Sequence, residues 1–354
     1  MDRIIIIGGG LSGLTLAYRL HQQGHAATVL EAAPRLGGRI WTLPGTLGTP
    51  VEMGATWFSD GHSQLRALIA ELGLGTFPQF AEGISLFQTK SFEPPQRFVV
   101  PATDRPSYRI AGGTGRLIEA LARALPPDAV VLNADVISIR EQGDELRVAT
   151  ADGMVRAADK VILCAPPRSA ALRITFDPAL PPEVDRILRN VHTWMAGSIK
   201  FALEYAEPFW RKQGCSGMLY SHAGIVVEMY DHSDHRAEHF ALAGFLNGGA
   251  AQFTQAVRRE LVLEQVGQLL GEAAQHPVAY YDEVWTGPLL PHGEPVARPH
   301  ENNGHPILHQ GYLGDRLFFA ATETDTEAPG YMEGAVQAAQ RMVERLVRAG
   351  QRVP

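Results

Sequence analysis

The residues with the most definite chemistry stand at the start of the chain. Gly8-Gly9-Gly10-Leu11-Ser12-Gly13 follows the apolar run Ile4 to Ile7 at once and carries the pattern G-x-G-x-x-G. Gly8 permits a tight turn, Gly10 lets the backbone approach a pyrophosphate, and Gly13 lets a helix pack closely on a strand. That helix would begin at Leu11 and Ser12, and its N-terminus offers N–H donors and partial positive charge to phosphates. Glu31 stands 23 positions after Gly8, where a carboxylate can accept both hydroxyls of an adenosine ribose. Its charge would repel a 2′-phosphate, so a dinucleotide other than NADP is expected. The pattern alone does not separate NAD from FAD.

A second grouping, His232, His235 and His239 beside Asp231 and Asp234, has metal-ligand types. Nothing else supports a closed site, so the segment reads as a polar loop and no metal is expected. The only two cysteines, Cys164 and Cys215, exclude a disulfide framework and a four-cysteine zinc site.

These residues need elements to position them. Ile4 to Ile7 suits a strand buried on both faces of a parallel sheet. Leu14, Ala17, Tyr18 and Leu20 continue at helical spacing, and Ala27 to Leu30 forms a second strand, which completes a βαβ unit. Leu65 to Leu72 predicts a short helix, Phe77 to Arg105 an irregular segment, and Leu117 to Leu125 an amphipathic helix. Short strands and hairpins follow up to Cys164. Between about 190 and 290 the strands become longer and alternating. Ile199, Phe201, Leu203 and Tyr205 share one face, with Ser198, Lys200, Ala202 and Glu204 on the other. Leu317 to Ala321 is a last buried strand, and the stripe from Ala335 to Val347 is a helix.

The chain has 354 residues, 45% hydrophobic and 19% charged, which suits an ordinary globular fold of two domains. A net charge of −7 argues against a nucleic-acid partner. No signal peptide and no apolar run long enough to span a bilayer are visible, so no membrane partner and a cytoplasmic location are expected.

The run Val29-Leu30-Glu31-Ala32-Ala33-Pro34-Arg35-Leu36-Gly37-Gly38-Arg39-Ile40 resembles the flavin amine oxidase superfamily, which includes monoamine and polyamine oxidases. The resemblance continues through Glu52-Met53-Gly54-Ala55-Thr56-Trp57, Gly112-Gly113, Gly197-Ser198-Ile199-Lys200, Pro208-Phe209-Trp210, Thr322-Glu323-Thr324 and Gly330-Tyr331-Met332-Glu333-Gly334. It implies an α/β fold. A Rossmann-like FAD-binding domain would take residues 1–76, 108–190 and 295–354. A mixed α+β substrate domain, an antiparallel sheet plus helices, would take 77–107 and 191–294.

The resemblance also implies roles. Gly38 and Arg39 would lie near the FAD pyrophosphate, Val136 would meet the adenine, and Gly54 to Trp57 and Trp285 would border the isoalloxazine. Glu323 would lie near the ribityl and phosphates, and the Met332 N–H would face the flavin pyrimidine. Lys200, unremarkable by pattern, would reach the flavin N5 through a water and assist electron transfer to dioxygen. Tyr331 would be one wall of an aromatic cage. The implied reaction is hydride transfer from the carbon beside an amine nitrogen to N5, imine hydrolysis and peroxide formation. No side chain is required as a general base. A desaturase or dehydrogenase of the same superfamily, acting on C–C bonds, and a flavin-binding protein without turnover are the alternatives.

Four departures stand out. Ala33 replaces the family's first arginine after the acid. No cysteine lies between Trp285 and Phe319, so the FAD would be noncovalent. The second cage tyrosine is absent from Leu289-Leu290-Pro291-His292-Gly293, which leaves a half-built cage or a role for His292. Only about 30 residues stand where the family has a long helical insertion. A large amine, or a second subunit in a homodimer, would then close the site.

Overall fold

The computed structural model describes residues 2–101, 106–287, 289–290 and 299–350. A five-stranded parallel sheet runs in the order Leu317–Phe319, Lys160–Leu163, Ile4–Ile7, Ala27–Leu30, Val130–Val131. Ile4–Ile7 is its middle strand and is wholly buried. Ile4 and Ile6 enter the core under the helices, while Ile5 and Ile7 enter the core on the opposite face. This is why four isoleucines in a row suit this position.

The helix Leu11–Gln22 covers the first face together with Gly115–Arg123 and the C-terminal helix Met332–Gly350. Gly13 sets the closeness of the first helix: a Cβ there would lie 2.0 Å from the Gly8 carbonyl oxygen. Gly8 itself has φ +110°, a conformation that favours glycine. On the second face lies a four-stranded sheet, Val155–Ala158, Glu145–Thr150, Val136–Gln142 and Thr175–Asp177.

A separate seven-stranded sheet is mostly antiparallel. Its order is Ala279–Val284, Ile199–Tyr205, Phe240–Leu246, Val226–Asp231, Cys215–Ser221, Ile84–Gln88, Gln96–Val99. Phe201, Leu203 and Leu242 pack beneath Val262 and Val266 of the helix Gln255–Leu270. The expected irregular segment from Phe77 thus contains two strands of this sheet. A third, Thr76–Pro78, pairs with Tyr108–Ile110. Their pairing partners lie far away in sequence, so local composition does not show them.

Ile199–Tyr205 is also buried on both faces. Its alternate face, read as polar, is covered by the segment that precedes Gly54: Ala202 packs with Val51 and Met53. Glu204 accepts N–H bonds from Leu47 (3.1 Å) and Thr49 (3.2 Å). Among the described residues no helix is long and apolar enough to cross a membrane.

The two glycines of the loop should respond differently to a methyl group. Gly13→Ala forces a backbone shift and should lower the stability of the flavin-free protein by about 1–3 kcal/mol. Gly10→Ala meets nothing nearer than 3.9 Å and should stay within about 0.5 kcal/mol of the parent. Urea unfolding of the three proteins checks this.

Candidate active site

The C-terminal edge of the parallel sheet and one face of the seven-stranded sheet enclose a cleft of about 1230 Å³. That is more than a single small ligand requires. The cleft begins at the glycine loop. Gly8, Gly10, Leu11, Ser12, Glu31, Ala32, Gly38, Arg39 and Val136 line this end. Glu31 takes two backbone N–H bonds, from Gly9 (2.6 Å) and Ala33 (2.8 Å), so its carboxylate is fixed at the strand end. A Cβ on Gly10 would find only the Gly37 oxygen, at 3.9 Å, so the backbone there is open to a ligand. A helix N-terminus, an open glycine backbone and a fixed carboxylate fit an adenine dinucleotide.

Ala33 brings no charge, but Arg35 places a guanidinium on the cleft wall. It donates to the carbonyls of Leu36 (3.1 Å), Ile40 (3.2 Å) and Gly38 (2.9 Å) and lies over the Trp41 ring. The Arg39 Nη1 atom is 2.7 Å from Glu323 Oε1 and donates to the Trp194 carbonyl at 3.1 Å.

Gly54, Ala55, Thr56, Trp57, Trp285, Tyr331 and Met332 line the rest of the cleft. Trp285 is held by a bond from its Nε1 to the Met53 carbonyl, 2.6 Å. Gly13, Lys200 and Glu323 stand behind the wall instead. Gly13 is occupied by helix–strand contact, and Glu323 is fully buried.

Lys200 is also fully buried. Its ammonium donates to the Gly54 carbonyl (2.6 Å) and to Thr56 Oγ1, and it lies 5.0 Å from the centre of the Trp57 ring. Burial lowers its pKa to about 7, against the pull of Glu52. Glu52 is buried too, and burial raises its pKa, opposed by the Thr114 N–H and the Lys200 charge. The Glu52 N–H donates to His232 Nε2 at 3.2 Å. His232 opens the expected loop between the strands Val226–Asp231 and Phe240–Leu246, but its side chain is buried, and burial holds its pKa well below the usual value. Asp234, Glu238 and His239 gather at the surface, where Asp234 Oδ2 and His239 Nδ1 are 3.0 Å apart.

Tyr331 is 43% exposed, with its ring on the cleft. Leu289 and Leu290 line the region where a second cage residue is expected, and His292 lies outside the described residues. The aromatic neighbours of Tyr331 come from elsewhere. Trp194 is 5.9 Å away, His300 is 6.0 Å away, and Trp194 and His300 stack on each other at 4.9 Å. Gly330 makes room for this: a Cβ there would lie 2.7 Å from the Trp194 Cβ.

Sequence reasoning also missed three cleft carboxylates, Asp135, Glu228 and Glu283, of which Asp135 is paired with Arg173. Strand register places Glu228 and Glu283. Glu283, Lys200, Phe245 and Glu228 are successive partners across four strands, so they form one row on one face.

A family model described as flavin containing amine oxidoreductase matches residues 11–91 and 79–347. Putrescine oxidase of Kocuria rosea is 24% identical over 98% of this chain and 95% of its own. Flavin-containing amine oxidase B of Homo sapiens is 23% identical over 99% of this chain and 87% of its own. Among solved structures, cyclohexylamine oxidase from Brevibacterium oxydans has a TM-score of 0.85 at 20% identity, covering 99% of this chain and 100% of that one. Putrescine oxidase bound to putrescine has a TM-score of 0.82 at 22% identity, covering 98% and 99%. The chain belongs to the family of flavin-containing amine oxidoreductases, and it is an FAD-dependent oxidoreductase.

Proposed function

We propose that the protein oxidises a primary amine, with FAD held noncovalently and dioxygen as the final acceptor. One observation carries this reading: a single cleft runs from the glycine loop to a chamber walled by Tyr331, Trp194 and two carboxylates. Bound FAD would supply a two-electron acceptor for the carbon beside the nitrogen, one that dioxygen can reoxidise.

The chain's own residues bind and orient. The backbone from Gly8 to Ser12 and the guanidinium of Arg39 hold the pyrophosphate, Glu31 holds the ribose, and Val136 meets the adenine. Gly54 to Trp57 and Trp285 border the reactive ring, and Met332 directs the N-terminus of the last helix at it. Tyr331 and Trp194 offer aromatic faces to an amine. Lys200 is a positioning residue. It fixes Gly54 and Thr56, and its charge acts through that wall on the negative charge that dioxygen acquires.

Cys164 borders the cleft, but burial pushes its thiol up to about 12, so it stays protonated and unreactive. With no cysteine between Trp285 and Phe319, no thiolate is offered for attachment. Acid precipitation should release all the flavin into the supernatant, and yellow colour retained in the pellet would contradict noncovalent binding.

A peroxide assay on a panel of 1,4-diaminobutane, cyclohexylamine and benzylamine tests the function. Turnover of at least one is expected, and turnover of none would remove this reading.

Lys200→Met should slow the half-reaction with dioxygen more than the half-reaction with amine. Loss of one preorganised electrostatic contact costs ~2.7–4 kcal/mol, about a hundredfold. In the parent the advantage belongs to the ammonium form. It should be present below a pH of about 7 and fade as pH rises through that value. Stopped-flow traces of both half-reactions across pH separate these effects.

A further inference from the structure

Glu228 borders the cleft and is joined to a tyrosine that reaches solvent. Glu228 and Tyr230 lie two residues apart on Val226–Asp231 and so share one face. Tyr220 is the register partner of Glu228 on the neighbouring strand. The Tyr230 hydroxyl donates to Glu228 Oε1, and the Tyr220 and Tyr230 hydroxyl oxygens are 2.6 Å apart. Tyr220 lies outside the residues that line the cleft and is 39% exposed. Three polar groups thus form an unbroken hydrogen-bonded line from the cleft to the surface.

The line is held in place. The Tyr230 ring packs edge-on against Trp57 at 5.2 Å and against Tyr220 at 6.0 Å. Burial and the Glu228 carboxylate raise the Tyr230 hydroxyl far above its ordinary range, so it remains a neutral link that can donate and accept. Glu228 faces few charges. Lys200 stands beyond Phe245 in the same row, with Glu283 past it and Glu52 behind.

An amine oxidase needs such a line for a chemical reason. An alkylamine in neutral water is almost wholly ammonium, as a lysine side chain is. The nitrogen must lose a proton before its lone pair can assist the loss of hydride from the neighbouring carbon. We propose that Glu228, Tyr230 and Tyr220 are the path by which that proton leaves the cleft, with Glu228 as the base that takes it. This rests on the amine reading above and adds a base to it.

The step balances without a redox change. An N–H bond of the bound ammonium breaks and its electron pair stays on nitrogen. The proton bonds to a carboxylate oxygen of Glu228, giving a neutral amine and a neutral acid. A cation and an anion vanish together, which a partly buried site favours. The Tyr230 and Tyr220 hydroxyls first rotate so that their protons point outward, Tyr230 toward Tyr220 and Tyr220 toward water. Glu228 then passes its proton to the Tyr230 oxygen as Tyr230 passes its own to Tyr220 and Tyr220 its own to water, which leaves Tyr230 donating to a free Glu228 carboxylate again, the starting pattern.

The test uses the FAD-loaded enzyme and the panel amine that the parent oxidises fastest, with flavin bleaching followed anaerobically. Near pH 7, Glu228→Gln should slow bleaching on the order of a hundredfold, and Tyr230→Phe and Tyr220→Phe roughly tenfold. Near pH 10, where much of the amine arrives neutral, all three defects should shrink. A packing or anchoring role would lower the rate equally at both pH values, and that result would overturn the proposal, as would parental rates in the variants near pH 7.

A second probe does not need turnover. tert-Butylamine has no hydrogen on the carbon beside nitrogen, so it can bind without being oxidised. A pH-indicator dye should show about one proton released per amine bound to the parent, released more slowly in Tyr230→Phe at unchanged affinity. Equal release rates in parent and variant would sink the path even if no panel amine were oxidised. Unchanged affinity also shows that the variant is folded.

Discussion

One buried positive charge holds the cleft together. An ammonium taken out of water costs several kcal/mol unless its donors are met. Lys200 is met by the Gly54 carbonyl and the Thr56 hydroxyl, with the faces of Trp57 and Phe245 nearby. The cost is offset only while the Gly54 segment and the seven-stranded sheet keep this register. Glu52 extends the tie. It accepts from the Thr42 hydroxyl at 2.8 Å and from the Thr114 N–H, while its own N–H reaches His232. These hydrogen bonds, with those from Trp285 to Met53 and from Arg39 to Trp194, join the glycine-loop half and the sheet half of the cleft.

Much of the first half was legible in the sequence because its chemistry is local. Strand, glycine turn, helix and Glu31 lie within the first 31 residues, and each glycine has a steric task that its neighbours impose. The C-terminal stripe from Ala335 to Val347 likewise predicts the helix Met332–Gly350 by periodicity alone. The motif around Gly54 was legible by resemblance, and the structure adds why it is constrained. A Cβ on Gly54 would lie 2.1 Å from the Arg39 carbonyl oxygen.

The second half was less legible because register, not pattern, builds it. Alternation in Ile199–Tyr205 says which residues share a face and not what covers that face. The pattern alone therefore leaves Lys200 and Glu204 unremarkable, although both are buried, Lys200 against Gly54 and Thr56 and Glu204 against Leu47 and Thr49. Glu228, Phe245 and Glu283 come from three strands spread over some 55 residues, and only their pairing with Ile199–Tyr205 makes them neighbours. Trp194 precedes that strand by a few positions and meets Tyr331 from far along the chain. Arg35 was in view throughout. Its task emerged only once its three carbonyl partners showed that the guanidinium is pinned to the cleft wall.

The bare backbone of Gly330 has a consequence for how this enzyme could diversify. Trp194 leans into the space that any side chain at 330 would occupy, and His300 stacks on Trp194 in turn. A single methyl group at 330 would act as a spacer, pushing the indole across the chamber while leaving Tyr331 in the sequence. Residue 330, itself on the cleft lining, thus sets the width of the aromatic wall beside it. Its φ of +84° favours glycine as well, so backbone and indole together hold the wall at its present width.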